Sequence, residues 1–82
     1  MRIWRYVATK VRDVGTGTDS WEIRELYPED DGGFSYTAGP ISPAGDDLAE
    51  LVRDLDNMAA DAPLPWLDLT GDHPRLVNDA ST

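Results

Sequence analysis

The chain has 82 residues, with seven Lys and Arg against 16 Asp and Glu, a formal net charge of -9 and no cysteine. The lack of cysteine excludes disulfide scaffolds, thiolate metal sites and thiol catalysis, and the acidic balance argues against direct binding of nucleic acid or anionic membranes. Because neither an apolar run of 18 residues nor a signal-peptide pattern is present, we expect a cytoplasmic protein.

Three strands are predicted in the first half of the chain. Residues 3–11 carry apolar side chains on both faces, and apolar side chains recur along residues 21–27 with the alternation of a strand. Residues 34–38 form a short third strand. The two glycines within residues 14–19 and the Asp-Gly pair at 31–32 are typical of hairpin turns, so the three strands are expected to pair antiparallel.

One amphipathic helix is predicted over residues 47–62. Asp47 is a natural N-cap, and Glu50 completes a capping-box-like pattern three residues later. Pro63 ends the helix. Its apolar positions follow 3.6-residue spacing and are expected to face the core, where Asp in place of Leu51 or Leu55 would unfold the domain. These positions are Leu48, Leu51, Val52, Leu55, Met58 and Ala59.

An extended segment is predicted over residues 64–69, where prolines are interspersed with large apolar residues. We expect it to dock on the sheet or the helix end, with Trp66 packed beside the helix, and residues 78–82 to fray. The predicted fold is therefore α+β: a three-stranded antiparallel sheet with one helix across one face (β-β-β-α) and an extended C-terminal segment. Residues 1–77 are expected to form a single domain.

The sequence holds little that is typical of an active site. His73, the one histidine, lies in a turn-like stretch without a nucleophile in its motif. The acidic cluster at 29–31 lacks the ligand spacing of a calcium loop, and the glycines at 15–17 lack the rest of a phosphate-binding loop. We therefore expect no catalytic residues, no metal and no cofactor, although paired carboxylates for glycoside chemistry are not excluded by counting.

Charge is distributed unevenly along the chain. Residues 1–12 total +4 and residues 13–82 total -13. Either the first strand pairs with an acidic neighbour, or the acidic remainder offers a surface to a basic partner. On the helix, carboxylates recur on the side away from the apolar stripe, about 6 Å apart. They form a solvated face or a mimic of nucleic-acid phosphates. The predicted acidic contact residues are Glu50, Asp54, Asp61, Glu29, Asp30 and Asp31.

A second candidate surface is aromatic. It comprises strand residues expected on the sheet, and tryptophan and tyrosine dominate the energetics of protein interfaces. The members are Trp4, Tyr6, Trp21 and Tyr36.

Residues 4–55, about two-thirds of the chain, resemble a group of small, uncharacterised acidic bacterial proteins. The shared pattern is W-x-Y, a strand ending in an acidic-Gly turn, and P-x-x-P-x-G-D-x-x-x-E-L, present here as residues 4–6, 27–33 and 40–51, with Asp47 at the usual Thr or Ser cap. This resemblance implies a β-β-β-α fold. The helix entry is also similar to the antitoxin half of HicA/HicB-type systems, without that family's glycine-rich strand pattern. In size, acidity, lack of catalytic motifs and compact α+β pattern the chain is similar to many phage-encoded anti-CRISPR proteins.

Two functions are compatible with these features. The first is a non-enzymatic acidic inhibitor that occupies the basic nucleic-acid-binding groove of a larger protein, as an anti-CRISPR protein does. The second is an antitoxin-like or housekeeping interaction module that binds a specific protein or dimerises. Both predict that the partner is a protein with a basic or complementary surface and that the chain does not bind nucleic acid directly. Both are compatible with a monomer or a homodimer. A small enzyme is the third possibility, and the missing nucleophile and histidine constellation argues against it.

Overall fold

The computed structural model describes residues 3–78. Within this range the chain forms five strands and one helix. They are β1 (Arg5–Arg12), β2 (Asp19–Pro28), β3 (Phe34–Tyr36), α1 (Leu48–Asp61), β4 (Trp66–Asp68) and β5 (Arg75–Val77). The strands build one sheet in the order β3-β2-β1-β4-β5, in which β1 and β4 are parallel and the other pairs are antiparallel. The α+β class is confirmed, whereas the predicted three-stranded antiparallel sheet is wrong.

The two predicted hairpins are present. In the first, the Asp13 carboxylate accepts the N–H groups of Gly15 and Thr16, and Gly17 has a φ of 72°. In the second, Gly32 has a φ of 87°, a left-handed conformation that glycine adopts without steric cost. These turns set the pairing of β1 with β2 and of β2 with β3.

The helix begins and ends as its caps predict. The Asp47 carboxylate accepts the Glu50 N–H at 2.8 Å, and the Glu50 carboxylate accepts the N–H of Asp46 at 2.8 Å. This is one residue earlier than in the standard capping box. A Cβ on Gly45 would lie 2.5 Å from the Leu51 backbone nitrogen, so the chain entering the helix passes too close for any larger residue.

The predicted extended segment over residues 64–69 contains β4, which the structure adds to the sheet beside β1. β5 was not predicted, and it extends the sheet beyond β4. Both strands have three residues, which is too short for an alternating pattern to appear in the sequence. The fraying predicted for the tail falls mainly on residues 79–82, which lie outside the described residues.

The central apolar cluster lies on one face of the sheet. Arg5 pairs with Leu26 and Thr9 pairs with Leu67, so strand alternation places Leu26 and Leu67 on the same face as Val7. Val7, Leu26 and Leu67 are 0–2% exposed and form the central cluster. Partly buried apolar side chains pack around it, namely Phe34, Tyr36 and Leu69.

Candidate functional site

The C-terminal end of α1 contacts β1 through a carboxylate. The buried Asp61 accepts the backbone N–H of Tyr6 at 3.0 Å. In the same strand, the Lys10 carbonyl accepts the Leu69 N–H on the β4 side. Tyr6 is four residues earlier, so its N–H points to that side as well. β4 begins only at Trp66, and Asp61 therefore takes the place of the missing strand partner.

Asp54 makes a second link between helix and sheet. Its carboxylate accepts the Tyr6 hydroxyl and the N–H of Ala44 at 2.9 Å. The Tyr6 hydroxyl, and next the Ala44 N–H, hold the pKa of Asp54 below its usual value because both bonds favour the ionised form. Arg5 reinforces this end of the strand by donating to the carbonyl of Pro65 at 2.7 Å.

The row of helix carboxylates predicted from the sequence is therefore not one solvated face. Asp61 is buried, Asp54 is half-buried, and Glu50 is exposed while it caps the helix N-terminus. The expectation that Asp61 lies at the surface is wrong, and Asp54 is only partly exposed. Their hydrogen bonds to Tyr6 turn this side of the helix toward β1.

The acidic turn supplies the other predicted contact residues. Glu29, Asp30 and Asp31 are exposed, and the Asp31 carboxylate accepts the N–H of Gly33 at 2.9 Å. Glu29 and Asp30 also line an open groove of about 630 Å³. The rest of its lining comes from the start of β1 and the end of β2, namely Ile3, Trp4, Arg5, Tyr27 and Pro28. The acidic turn follows β2, whereas Asp61 contacts β1 from the β4 side. The predicted acidic residues therefore do not form one continuous surface.

The apolar side of α1 faces outward. Leu48 is 74% exposed, and Val52 and Leu55 are each 46% exposed; we call these three residues the outer helix face. Of the predicted core stripe, Met58 is buried, Leu51 is half-buried and Ala59 is exposed. The prediction that the whole stripe is core is wrong. At about 100° per residue, the outer helix face is turned about 120° away from the sheet-facing side chains.

The charges on the exposed surface of the helix are mainly negative. Arg53 is the one cation within α1, and it is exposed. Asp56 is also exposed and lies one helical turn beyond Val52. Three more exposed carboxylates cluster at the N-terminal end, at Asp46, Asp47 and Glu50. The outer helix face is thus an apolar strip with acidic surroundings.

The predicted aromatic residues do not share one surface. The rings of Trp4 and Tyr6 meet edge to face with centroids 5.1 Å apart, and Trp21 contacts Trp66 at 4.9 Å. Tyr36 pairs with Leu26, so alternation places it on the core face, opposite the side to which Tyr6 and Trp21 point. Trp66 was predicted to pack beside the helix, and the structure adds it to the aromatic set through its contact with Trp21.

Within residues 3–78 no group of three or more His, Asp or Glu could hold a metal ion, and no helix in that range is long and apolar enough to cross a membrane. His73 is exposed in the loop between β4 and β5. Searches against protein-family models, curated proteins and solved structures found no match to this chain.

Proposed function

We propose that this chain is a non-enzymatic protein-binding module whose contact surface is the outer helix face. The observation that carries the proposal is the exposure of Leu48, Val52 and Leu55. Their spacing of i, i+4 and i+7 is the anchor pattern of helices that bind other proteins. Full burial of one such side chain is worth about 1.5–3 kcal/mol. This function corresponds to the antitoxin-like or housekeeping interaction module.

The surface can be tested by comparing matched variants in affinity capture. The double substitution Leu48→Asp and Leu55→Asp should abolish capture of a partner that the wild type retains, because each change places a charge in the contact. Val14→Asp is the control, since Val14 is fully exposed in the first hairpin loop and lies off the helix. Because the sequence predicts a cytoplasmic protein, the partner is sought among cytoplasmic proteins.

Two results decide this test. Partner loss with the helix variant and retention with Val14→Asp, while both variants keep the wild-type circular dichroism spectrum, support the proposal. Equal capture by all three proteins would show that the outer helix face is not the contact surface. If the proposal holds, the captured protein, once purified, should bind the wild type directly and the double variant with at least about tenfold lower affinity.

A second candidate function is the acidic inhibitor of a basic nucleic-acid-binding groove. The observation favouring it is the exposed turn Glu29, Asp30 and Asp31, together with the exposed Glu50. The internal hydrogen bonds of Asp54 and Asp61 leave a smaller acidic surface than the sequence suggests. This function predicts that the chain binds no DNA or RNA itself and competes with nucleic acid for its partner. Lys at positions 29–31 should abolish that competition, and rising salt should weaken it.

A further inference from the structure

The outer helix face is suited to one class of partner structure. Resting on the proposed function, we infer that it receives a basic amphipathic helix, with an apolar row flanked by Lys or Arg, from another protein. Leu48 and Leu55 are seven residues apart, which spans about 10 Å along the axis. Side chains at this spacing form a ridge that fits the grooves of a second helix.

The charge requirement follows from the exposed side chains around the ridge. Asp56 lies beside it, and the exposed Asp46 and Asp47 directly precede Leu48 at its N-terminal end, against Arg53 as the one cation within α1. A partner with acidic flanks would meet like charges here, whereas Lys or Arg would meet opposite ones. Charge complementarity of this kind governs which partners associate and how fast they do so.

A second copy of this chain is a poorer occupant. Two copies would each bring a net charge of -9 to the contact, and each Asp56 would lie at the rim of a joint acidic surface. Stable dimers bury about 800 Å² on each partner, more than three partly exposed side chains provide. Self-association through this face would be small and repulsive, while a basic helix adds attraction to the same apolar contact.

Synthetic peptides of about 18 residues, or five turns, test the inference with the intact chain. The first carries Leu at positions i, i+4, i+7 and i+11 with Lys on both flanks; the second replaces Lys by Glu, and the third replaces Leu by Ser. Calorimetry should show binding of the first peptide and at least about tenfold weaker binding of the other two. NMR shifts caused by the first peptide should centre on α1 residues 48–56.

Protein variants then locate the contact. Leu48→Asp with Leu55→Asp should weaken binding of the first peptide at least about tenfold, and Val14→Asp should leave it unchanged. Asp56→Lys should weaken it about threefold or more, with a smaller effect from Asp72→Lys, which changes an exposed charge in the β4–β5 loop. Raising salt to about 0.5 M should reduce the contribution of Asp56.

The outcomes separate this inference from the function on which it rests. Equal binding of the Lys and Glu peptides, both lost with the double variant, overturns the basic partner and leaves the outer helix face as a contact surface. Binding of none of the peptides also overturns the inference, and affinity capture then decides the proposed function independently. A dimer in sedimentation that Leu48→Asp dissociates would make a second copy the occupant and overturn the inference as well.

Discussion

The two sides of α1 reverse the usual arrangement of an amphipathic helix. The side facing β1 presents Asp54 and Asp61 along with Met58, and the outer helix face, turned about 120° from it, presents Leu48 and Leu55 to solvent. Helices normally bury the apolar stripe and expose the charged face. Here hydrogen bonds to the sheet decide which side of the helix faces it. The more apolar side of a helix is therefore not always the side that is buried.

The energies of the two arrangements are comparable. A buried backbone N–H without an acceptor costs about 1–3 kcal/mol, and the Tyr6 N–H would have none from β4 at this point of the strand. Leaving a leucine about half exposed forfeits roughly half of the 1.5–3 kcal/mol that its full burial provides. The hydrogen bonds that Asp61 accepts from the Tyr6 N–H and Asp54 from the Ala44 N–H can therefore contribute more to stability than full burial of Leu55 would add.

The largest expected effect on stability comes from truncating the buried Met58, and truncating Leu55 on the outer helix face is its comparison. Met58→Ala should lower the free energy of unfolding by about 2–4 kcal/mol because Met58 is buried and its removal leaves a cavity. Leu55→Ala should cost less than about 1 kcal/mol because Leu55 is 46% exposed. Urea denaturation measures both, and equal losses would show that the helix faces the other way in solution.

The next effect tests the carboxylate of Asp61. Asp61→Ala should cost about 1–3 kcal/mol, because the Tyr6 N–H loses its acceptor in a buried position. Asp56→Ala removes the same group from an exposed position of the helix and should change stability by less than about 0.5 kcal/mol. Asp61→Asn keeps an acceptor oxygen, so its loss of stability should lie between those of Asp61→Ala and Asp56→Ala. If Asp61→Ala were as stable as Asp56→Ala, this hydrogen bond would not hold the helix.

A smaller effect concerns acid titration. Tyr6→Phe should raise the pKa of Asp54 toward its ordinary value because it removes the hydroxyl donor. Since the pKa of Asp54 is lowered on folding, its contribution to stability is complete above the unfolded pKa of 3.8 and is lost as pH falls through the folded pKa. The variant should therefore lose less stability than the wild type on acidification.

Asp68 provides the control for this titration. Hydrogen bonds from the Thr70 hydroxyl and N–H, with a smaller contribution from Arg75, lower the pKa of Asp68 to about 2. Because these bonds lie between β4 and the loop and strand that follow it, Tyr6→Phe should leave the pKa of Asp68 unchanged. Carboxyl NMR follows both residues in one experiment, and a simultaneous rise of both pKa values would indicate general loosening of the fold.

The smallest expected effect is that of Leu48→Asp. Leu48 is 74% exposed in the first turn of the helix, where a negative charge is favoured by the helix dipole. The unfolding free energy should change by less than about 0.5 kcal/mol in thermal or urea melts. A loss above about 2 kcal/mol would mean that this side of the helix is buried and would remove the outer helix face as a surface.

Local features of the fold could be predicted from the sequence because their causes are local. The cap at Asp47 and the stop at Pro63 predicted a helix over 47–62, against Leu48–Asp61 in the structure. Asp31-Gly32 predicted the second hairpin, and Gly32 has the positive φ that such a turn requires.

The parts that failed depend on contacts between distant residues. The pairing of Thr9 with Leu67 joins segments far apart in the chain, and the three residues of β4 are too few to show alternation, so β4 was predicted only as extended chain. The rotation of the helix was missed because the sequence does not show that Asp61, rather than β4, accepts the Tyr6 N–H. One signal was present: Asp61 near the helix C-terminus is unfavourable for the dipole, and its hydrogen bond to Tyr6 supplies the compensating interaction.

The central position of β1 has a consequence for biosynthesis. This strand is synthesised before the other described elements and pairs with β2 through a short hairpin. Its other edge is completed by Asp61 and β4, and Tyr6 and Asp61 are 55 residues apart in the chain. Contacts at such separation form late in folding. Until then the nascent chain carries an open strand edge beside Val7, the kind of edge that recruits other chains into aggregates. The segment that follows the helix therefore protects the edge of β1 from pairing with other chains.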